Sequence, residues 1–288
     1  MDLSKSDERG PGEDWSVYNL KAVAPGLASI VLLLAMRVTI LGSGTSHGVP
    51  MVGCSCRVCT SRDPKNNRTR CSLLLEFADQ TILIDTSTDF RLQALRAGIK
   101  KLDAVLYTHS HADHLHGLDD TRSLSWSGAI PLFAAPNTAA EIRERFSYVF
   151  NHNHIGGAKP KVRIVEIVEK ELRFGDSMLY PVPIKHGDLD IYGYRIGDFA
   201  YLTDCSYIPE SSYDLLAGTE VLVIGALRHT PHPTHFSVDQ ALEAAETIGA
   251  GQVYLTHICH ELEHRELERE LPAHVRPAYD GLCIEIVG

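Results

Sequence analysis

The sequence has no apolar stretch long enough to cross a bilayer. The run Gly26–Met36 is about eleven residues, against the roughly 20 that a spanning helix needs, so no membrane partner is expected. Positive charge is also short: 27 Lys and Arg stand against 37 Asp and Glu, a net charge of −10. That balance speaks against a stable nucleic-acid partner, while leaving room for a local basic pocket. Seven cysteines, an odd count, cannot all pair internally. Four of them, Cys71, Cys205, Cys259 and Cys283, are scattered and read as small buried apolar residues. A reducing compartment, the cytoplasm, is the expectation. There is no 20–50-residue repeat and no linker, so residues 36–288 are expected to form one domain. Residues 1–35 form an N-terminal extension whose first 15 residues are polar and without periodicity. Met36 directly precedes the first strand and is a candidate alternative start.

What is present is a pattern of strands ending in loops. Strands are expected over Arg37–Leu41, Cys71–Phe77, Thr81–Asp85 and Ala104–Tyr107. In the second half they follow over Arg163–Val168, Met178–Pro183, Ile191–Ile196, Ala200–Thr203, Val221–Ile224, Val253–Leu255 and Cys283–Val287. Helical spacing marks Phe90–Ala97, closed by Gly98, and Val238–Ile248, closed by Gly249. Two β-rich halves, each with helices, imply an α/β fold of two packed sheets with helices outside.

Chemistry concentrates in Thr108-His109-Ser110-His111-Ala112-Asp113-His114, where three imidazoles and a carboxylate fall within six positions. Alternate residues past a strand end, His109 and His111, point the same way. A turn brings Asp113 and His114 to a second point about 3.5–4 Å off, the ion separation of two-metal sites. Nitrogen and carboxylate oxygen suit Zn²⁺, Mn²⁺ or Fe²⁺. Two ions need further ligands, and His186, Asp204 and His257 each follow an expected strand. Separately, Cys54, Cys56 and Cys59 offer three thiolates on one loop. A tetrahedral zinc needs a fourth ligand, and a redox cysteine cluster is the alternative.

The His-x-His-x-Asp-His run with separated His, Asp and His resembles the metallo-β-lactamase superfamily, an αββα sandwich of two β-sheets flanked by helices. The resemblance covers Met36 to Gly288. It implies that His109, His111 and His186 bind one divalent metal, that Asp113, His114 and His257 bind the other, and that Asp204 bridges them. Leu41–Pro50 (LGSGTSHGVP), Gly53–Cys59 (GCSCRVC), His116–Asp120 (HGLDD) and Leu255–His260 (LTHICH) are similar to the PhnP-type phosphodiesterases. Those enzymes hydrolyse phosphodiesters, including a five-membered cyclic phosphate on ribose, and carry a structural zinc. By the resemblance Cys54, Cys56, Cys59 and His260 hold that zinc.

The expected function is therefore hydrolysis of a small-molecule phosphodiester, cyclic ones included, by a hydroxide shared between two catalytic metals, Zn²⁺ or Mn²⁺. Asp113 and His235 are the expected catalytic residues. His235, in Pro231–Val238 (PHPTHFSV), resembles the PhnP-type histidine that contacts phosphate or acts as general acid, a task for which an imidazole titrates in the right range. His229 and His232 compete for it. Arg68 and Arg70 are expected in a solvated basic loop, and Ser43, Thr45, Ser46 and His47 along the cleft. Residues 137–160, with His152, His154, Gly156 and Gly157, read as an insertion covering the site. A homodimer is compatible with all of this. Thioester or lactone hydrolysis and tRNA 3′ processing are alternatives on the same metals, although tRNA would want an exosite arm or basic patch that is not evident. A metal-binding protein without catalysis is the alternative of another class.

Overall fold

The computed structural model describes residues 35–151 and 158–287. The N-terminal extension up to residue 34, and His152, His154, Gly156 and Gly157, lie outside them. Among the described residues no helix is long and apolar enough to cross a membrane.

Among the described residues fourteen strands make two sheets of seven. The first contains β1 (Ala35–Gly42), β2 (Ser72–Phe77), β3 (Gln80–Ile84), β4 (Ala104–Leu106), β5 (Ile130–Ala134) and β6 (Val162–Glu166). The second contains β7 (Leu172–Phe174), β8 (Ser177–His186), β9 (Leu189–Ile196), β10 (Phe199–Leu202), β11 (Val221–Gly225), β12 (Gln252–Thr256) and β13 (Val275–Pro277). The last strand, β14 (Cys283–Val287), returns to the first sheet beside β1, giving the order β14-β1-β2-β3-β4-β5-β6. The second sheet runs β13-β12-β11-β10-β9-β8-β7. In each sheet an antiparallel part passes into a parallel one, through β3-β4-β5-β6 and through β10-β11-β12-β13.

Side-chain alternation builds the layers. Val38, Ile40, Leu73, Leu75 and Ile82 face inward onto Leu179, Tyr194, Phe199, Tyr201 and Val223 of the other sheet. Their neighbours Leu41, Leu74, Leu83 and Val105 face outward onto helices Phe90–Ala97 and Pro136–Arg145. On the far side Val182, Leu202, Leu222 and Ile224 pack under helix Val238–Ile248. Ser237 and Gln240 cap that helix reciprocally, Gln240 N–H donating to Ser237 Oγ (3.3 Å) and Ser237 N–H to Gln240 Oε1 (2.9 Å). The result is the expected αββα sandwich.

Several elements differ from the sequence reading. Strand β6 was expected with the second half but pairs with β5. Strands β5, β7 and β13 carry no alternation long enough to read. The β2–β3 turn, expected over Ala78-Asp79-Gln80, is made by Ala78 and Asp79 alone, both at positive φ (44° and 63°), as a two-residue hairpin of the I′ kind requires. Residues 136–150 are not an insertion over the site. Ala139, Ile142, Phe146 and Val149 are buried in the outer layer of the first sheet. Cys283, expected buried, is exposed on an edge strand.

The strand ends that matter converge on one rim. The loops after β3, β4, β8, β10, β11 and β12 all leave carboxyl ends, where open α/β sheets place ligands. Gly117, just past the ligand segment, donates its N–H to Thr86 O at 3.0 Å. A Cβ there would stand 2.1 Å from Ser87 O and 2.8 Å from Phe90 Cβ. Gly117→Ala should therefore lower stability by about 1–3 kcal/mol, the usual cost of overpacking, seen as a lower urea midpoint. An unchanged midpoint would show that the loop after β3 does not support this segment.

Candidate metal centre

His109 lies three residues past β4 and is followed by the one-turn helix Ala112–Leu115, which carries Asp113 and His114. His186 ends β8, while Asp204 and His257 stand just past β10 and β12. The structure brings these seven expected residues into two adjoining groups. His109, His111 and His186 form one; Asp113, His114, Asp204 and His257 form the other, with the donor atoms of each group within 4.8 Å of one another. Asp204 stands between them. Its Oδ1 is 3.1 Å from His114 Nε2, and its Oδ2 is 3.1 Å from His257 Nε2 and 3.9 Å from His109 Nε2.

Asp85, Asp204 and His257 all adopt positive φ (63°, 54° and 58°). For residues other than glycine this conformation costs on the order of 1–3 kcal/mol and clusters at functional sites. Here it turns each chain sharply at a strand end, so that the side chain faces along the rim.

Asp85 escaped the sequence reading, where it was only the last residue of a strand. It is fully buried and holds the ligand segment from behind. One oxygen lies 2.7 Å from His114 Nδ1; the same oxygen accepts from Thr108 Oγ1 and the other from Thr108 N–H, each at 2.8 Å. Thr108 Oγ1 in turn lies 2.9 Å from His109 Nδ1. The Nδ1 edges of His109 and His114 are thereby occupied, and their Nε2 atoms turn to the cluster. His186 is held likewise, with Nδ1 2.7 Å from Thr234 O. The signal available in the sequence was a lone acid closing the apolar strand Ile82-Leu83-Ile84.

The donor set fits a divalent ion on two grounds. His109 Nε2 is buried with no hydrogen-bond partner among the described residues, a costly state for a polar atom unless an ion occupies it, and His114 Nε2 and His257 Nε2 converge with it on the same Asp204 carboxylate, each at 3.1 Å. The charges agree. Burial, and then His114, push the His109 pKa well below its ordinary value, leaving the neutral imidazole that a ligand must be. Burial favours a protonated Asp204, but His257 and His114 outweigh it and hold its pKa well below the carboxylate range. Burial opposes charge on His114, yet Asp204, Asp113 and Asp85 together raise its pKa well above normal. A proton on His114 thus stands where a bound cation would supply the positive charge.

Of the competing histidines, His235 alone touches the cluster. Its ring stacks on His257 (centroids 4.6 Å apart, 20°) and lies 4.6 Å from that of His186. His232 is one ring further out, at 5.2 Å from His235, and His229 is half exposed, 3.4 Å from Glu270. Burial, and then His257, push the His235 pKa down to about 3.

The cysteine loop closes on the expected fourth residue. Cys54, Cys56 and Cys59 Sγ lie 3.3, 3.5 and 3.6 Å from His260 Nδ1, and the four donors form a compact group apart from the histidine–aspartate cluster. Ile258, between His257 and His260, pairs with Ser43 and Thr45 through backbone hydrogen bonds of 3.0 and 3.2 Å. Two expectations about this region are corrected. Arg68 is not solvated: it is 2 % exposed, donating to Ser43 Oγ at 2.8 Å and lying 3.1 Å from His264 Nδ1. Arg70 is held by Asp89 and the Ser46 carbonyl. Ser43 does not line the cleft, since Asp280 and Arg68 engage it, and His47 packs edge-on against His260.

This fold and this centre are those of a metal-dependent hydrolase of the beta-lactamase superfamily, to which the chain belongs; the model of that superfamily's domain matches residues 80–258. Within it the chain belongs to the PhnP family. It is 45 % identical to a diphosphatase from that family, whose crystal structure superposes with a TM-score of 0.82 over 88 % of this chain and 97 % of the other. It is also 43 % identical over 251 residues, 86 % of its length, to a protein of Porphyromonas gingivalis named Octanoyltransferase, and spans about half (51 %) of that protein. A Ribonuclease Z of Mycobacterium sp. (strain KMS) is 27 % identical over 226 residues, 67 % of this chain and 79 % of that one.

Because Asp85 orients two of the candidate ligands at once, Asp85→Asn should weaken divalent-ion affinity about 10- to 100-fold. Chelator competition measures this, and far-ultraviolet circular dichroism checks that the fold is kept. Unaltered affinity in a folded variant would remove Asp85 from the centre.

Proposed function

We propose that the chain is a phosphodiesterase acting on a small phosphodiester, five-membered cyclic phosphates included. On this reading His109, His111 and His186 hold one divalent ion, Asp113, His114 and His257 hold a second, and Asp204 serves both. Cys54, Cys56, Cys59 and His260 hold a structural zinc. The observation that carries the reading is the reach of Asp204, whose two oxygens lie 3.1 Å from His114 Nε2 and from His257 Nε2, with His109 Nε2 at 3.9 Å. The phosphorus chemistry named for the PhnP-family relative supports the choice of substrate class, and the net charge of −10 favours a small substrate over RNA.

Ions held by these residues would supply Lewis acidity and would lower the pKa of water toward neutrality. The chain's own residues set the geometry in which that happens. Asp85 and Thr108 fix the rings of His109 and His114 before substrate arrives, so that little reorganisation remains during reaction. His235, beside Asp204 and at the edge of the cluster, presents a ring nitrogen to a phosphate oxygen. With its pKa held low, it acts as a neutral hydrogen-bond donor rather than as an acid.

A second reading rests on the relative named Octanoyltransferase. If the matched half carried that protein's acyl chemistry, this site would accept octanoyl thioesters. Purified protein loaded with Mn²⁺ or Zn²⁺ should turn over bis(p-nitrophenyl) phosphate well above an octanoyl thioester, a lactone or a 3′-extended tRNA. A preference for any of the latter three would overturn the proposal.

Elemental analysis of undepleted protein should give three ions per chain, and Cys56→Ser should lower both that count and the thermal midpoint. One ion or fewer in the wild type would contradict the count; an unshifted midpoint in the variant would contradict the structural zinc. For His235→Ala, hydrogen-bond contact implies similar losses in kcat for p-nitrophenyl and alkyl leaving groups. A penalty larger by about 10²–10⁴ for the alkyl diester would instead assign general-acid catalysis to this residue.

A further inference from the structure

The same cluster contains a third set of donors, which adds His235 to two residues the two-ion reading already uses. One nitrogen each from His186 and His235 and a carboxylate oxygen of Asp204 lie within 4.8 Å of one another. We propose that the ion on His109, His111 and His186 has a second, mutually exclusive seat on His186, Asp204 and His235. The inference rests on the two-ion reading above.

Exclusivity follows from His186. Its Nδ1 is engaged by Thr234 O at 2.7 Å, which leaves Nε2, and one lone pair serves one ion. Reach follows from Asp204. Its Oδ2 is 3.9 Å from His109 Nε2 and 3.9 Å from His235 Nδ1. With metal–ligand bonds of about 2.0–2.2 Å, donors on opposite sides of an ion stand up to roughly 4.2 Å apart, so either histidine can share an ion with that oxygen without moving it.

His235 is also presented as ligands are. Its side chain is 14 % exposed, and Nδ1 is buried with no hydrogen-bond partner among the described residues. The backbone on both sides is anchored to the cluster's own supports. Thr234 O meets His186, Phe236 N–H donates to Cys205 O at 2.6 Å beside Asp204, and Phe236 O accepts from Leu227 N–H at 3.0 Å. His111, by contrast, is exposed, which makes it the ligand of its group most open to displacement by solvent. A reserve seat keeps the ion in the site when His111 lets go. It also occupies Nδ1 of His235, so a phosphate that takes its hydrogen bond from that nitrogen must first release it from the ion.

The test is a Co²⁺ titration of the metal-depleted full-length protein, followed by d–d absorption and by elemental analysis. The variants are His111→Ala, His235→Gln and the double variant. Each single variant should keep the ion of this seat, with affinity lowered no more than about 100-fold; the double variant should lose that ion while retaining the other two. Inorganic phosphate should shift the wild-type spectrum toward that of His235→Gln. The inference is overturned if His111→Ala alone loses the ion, if the double variant binds it as well as His111→Ala does, or if His235→Gln leaves the cobalt spectrum unchanged. Thermal midpoints identify unfolded variants, for which His111→Gln provides the replacement single. A wild type that binds all its ions yet fails to cleave bis(p-nitrophenyl) phosphate would defeat the phosphodiesterase reading and leave the alternate seat standing.

Discussion

Imidazoles that face one point hold that orientation most firmly where the other ring nitrogen is engaged elsewhere. For His109 and His114 that engagement falls on one buried carboxylate. Asp85 takes the Nδ1 edge of His114 directly and that of His109 through Thr108. It sits past β3, in the middle of the first sheet, while the residues it orients follow the adjacent β4. Register between two neighbouring parallel strands is thereby converted into ring orientation. A slip of one residue would send Asp85 to the opposite face and leave both histidines unguided.

The long loop between β1 and β2 depends on a different set of ties. It has little core of its own, and apart from the ties of Thr69 and Arg70 to Asp89 and Gln93 its anchors lie in the stretch that follows β12. Asp280 accepts from Ser43 and from Thr69 N–H, and Arg68 reaches His264 and the Ala278 carbonyl. Asn66 Nδ2 donates to Glu263 at 2.6 Å, Arg265 pairs with Asp63 at 2.6 Å, and the cysteines meet His260. Arg68 is buried without a carboxylate directly on its guanidinium, and desolvation lowers its pKa to about 10. The loop and the rim beside His257 are therefore one mechanical unit.

Legibility from sequence followed the range of the physics involved. The ligands at 109–114 are contiguous and need only local geometry, while His186, Asp204 and His257 were visible because each closes an apolar strand. Alternation over Arg37–Leu41 and short apolar runs bounded by turn residues elsewhere were strong enough to give two sheets. Asp85 was missed because an acid at a strand end is ordinary until its partners are known, and those lie 23 and 29 residues away. Arg68 was misread for a similar reason: a loop arginine looks solvated unless the chain that covers it, 196 residues on, is in view. Residues 137–160 read as an insertion because nothing local shows what they pack on, and the burial of Ala139, Ile142, Phe146 and Val149 against the first sheet supplies that partner.

The left-handed backbone at Asp85 and Asp204 limits the ways this protein could drift. A residue there must satisfy a carboxylate's chemistry and a conformation that aspartate, asparagine and glycine accept far more readily than others do. Loss of function at these positions therefore leads first to asparagine, which keeps the turn and gives up the charge. A descendant relieved of catalysis would fold with its rim intact, carrying amides where the carboxylates stood.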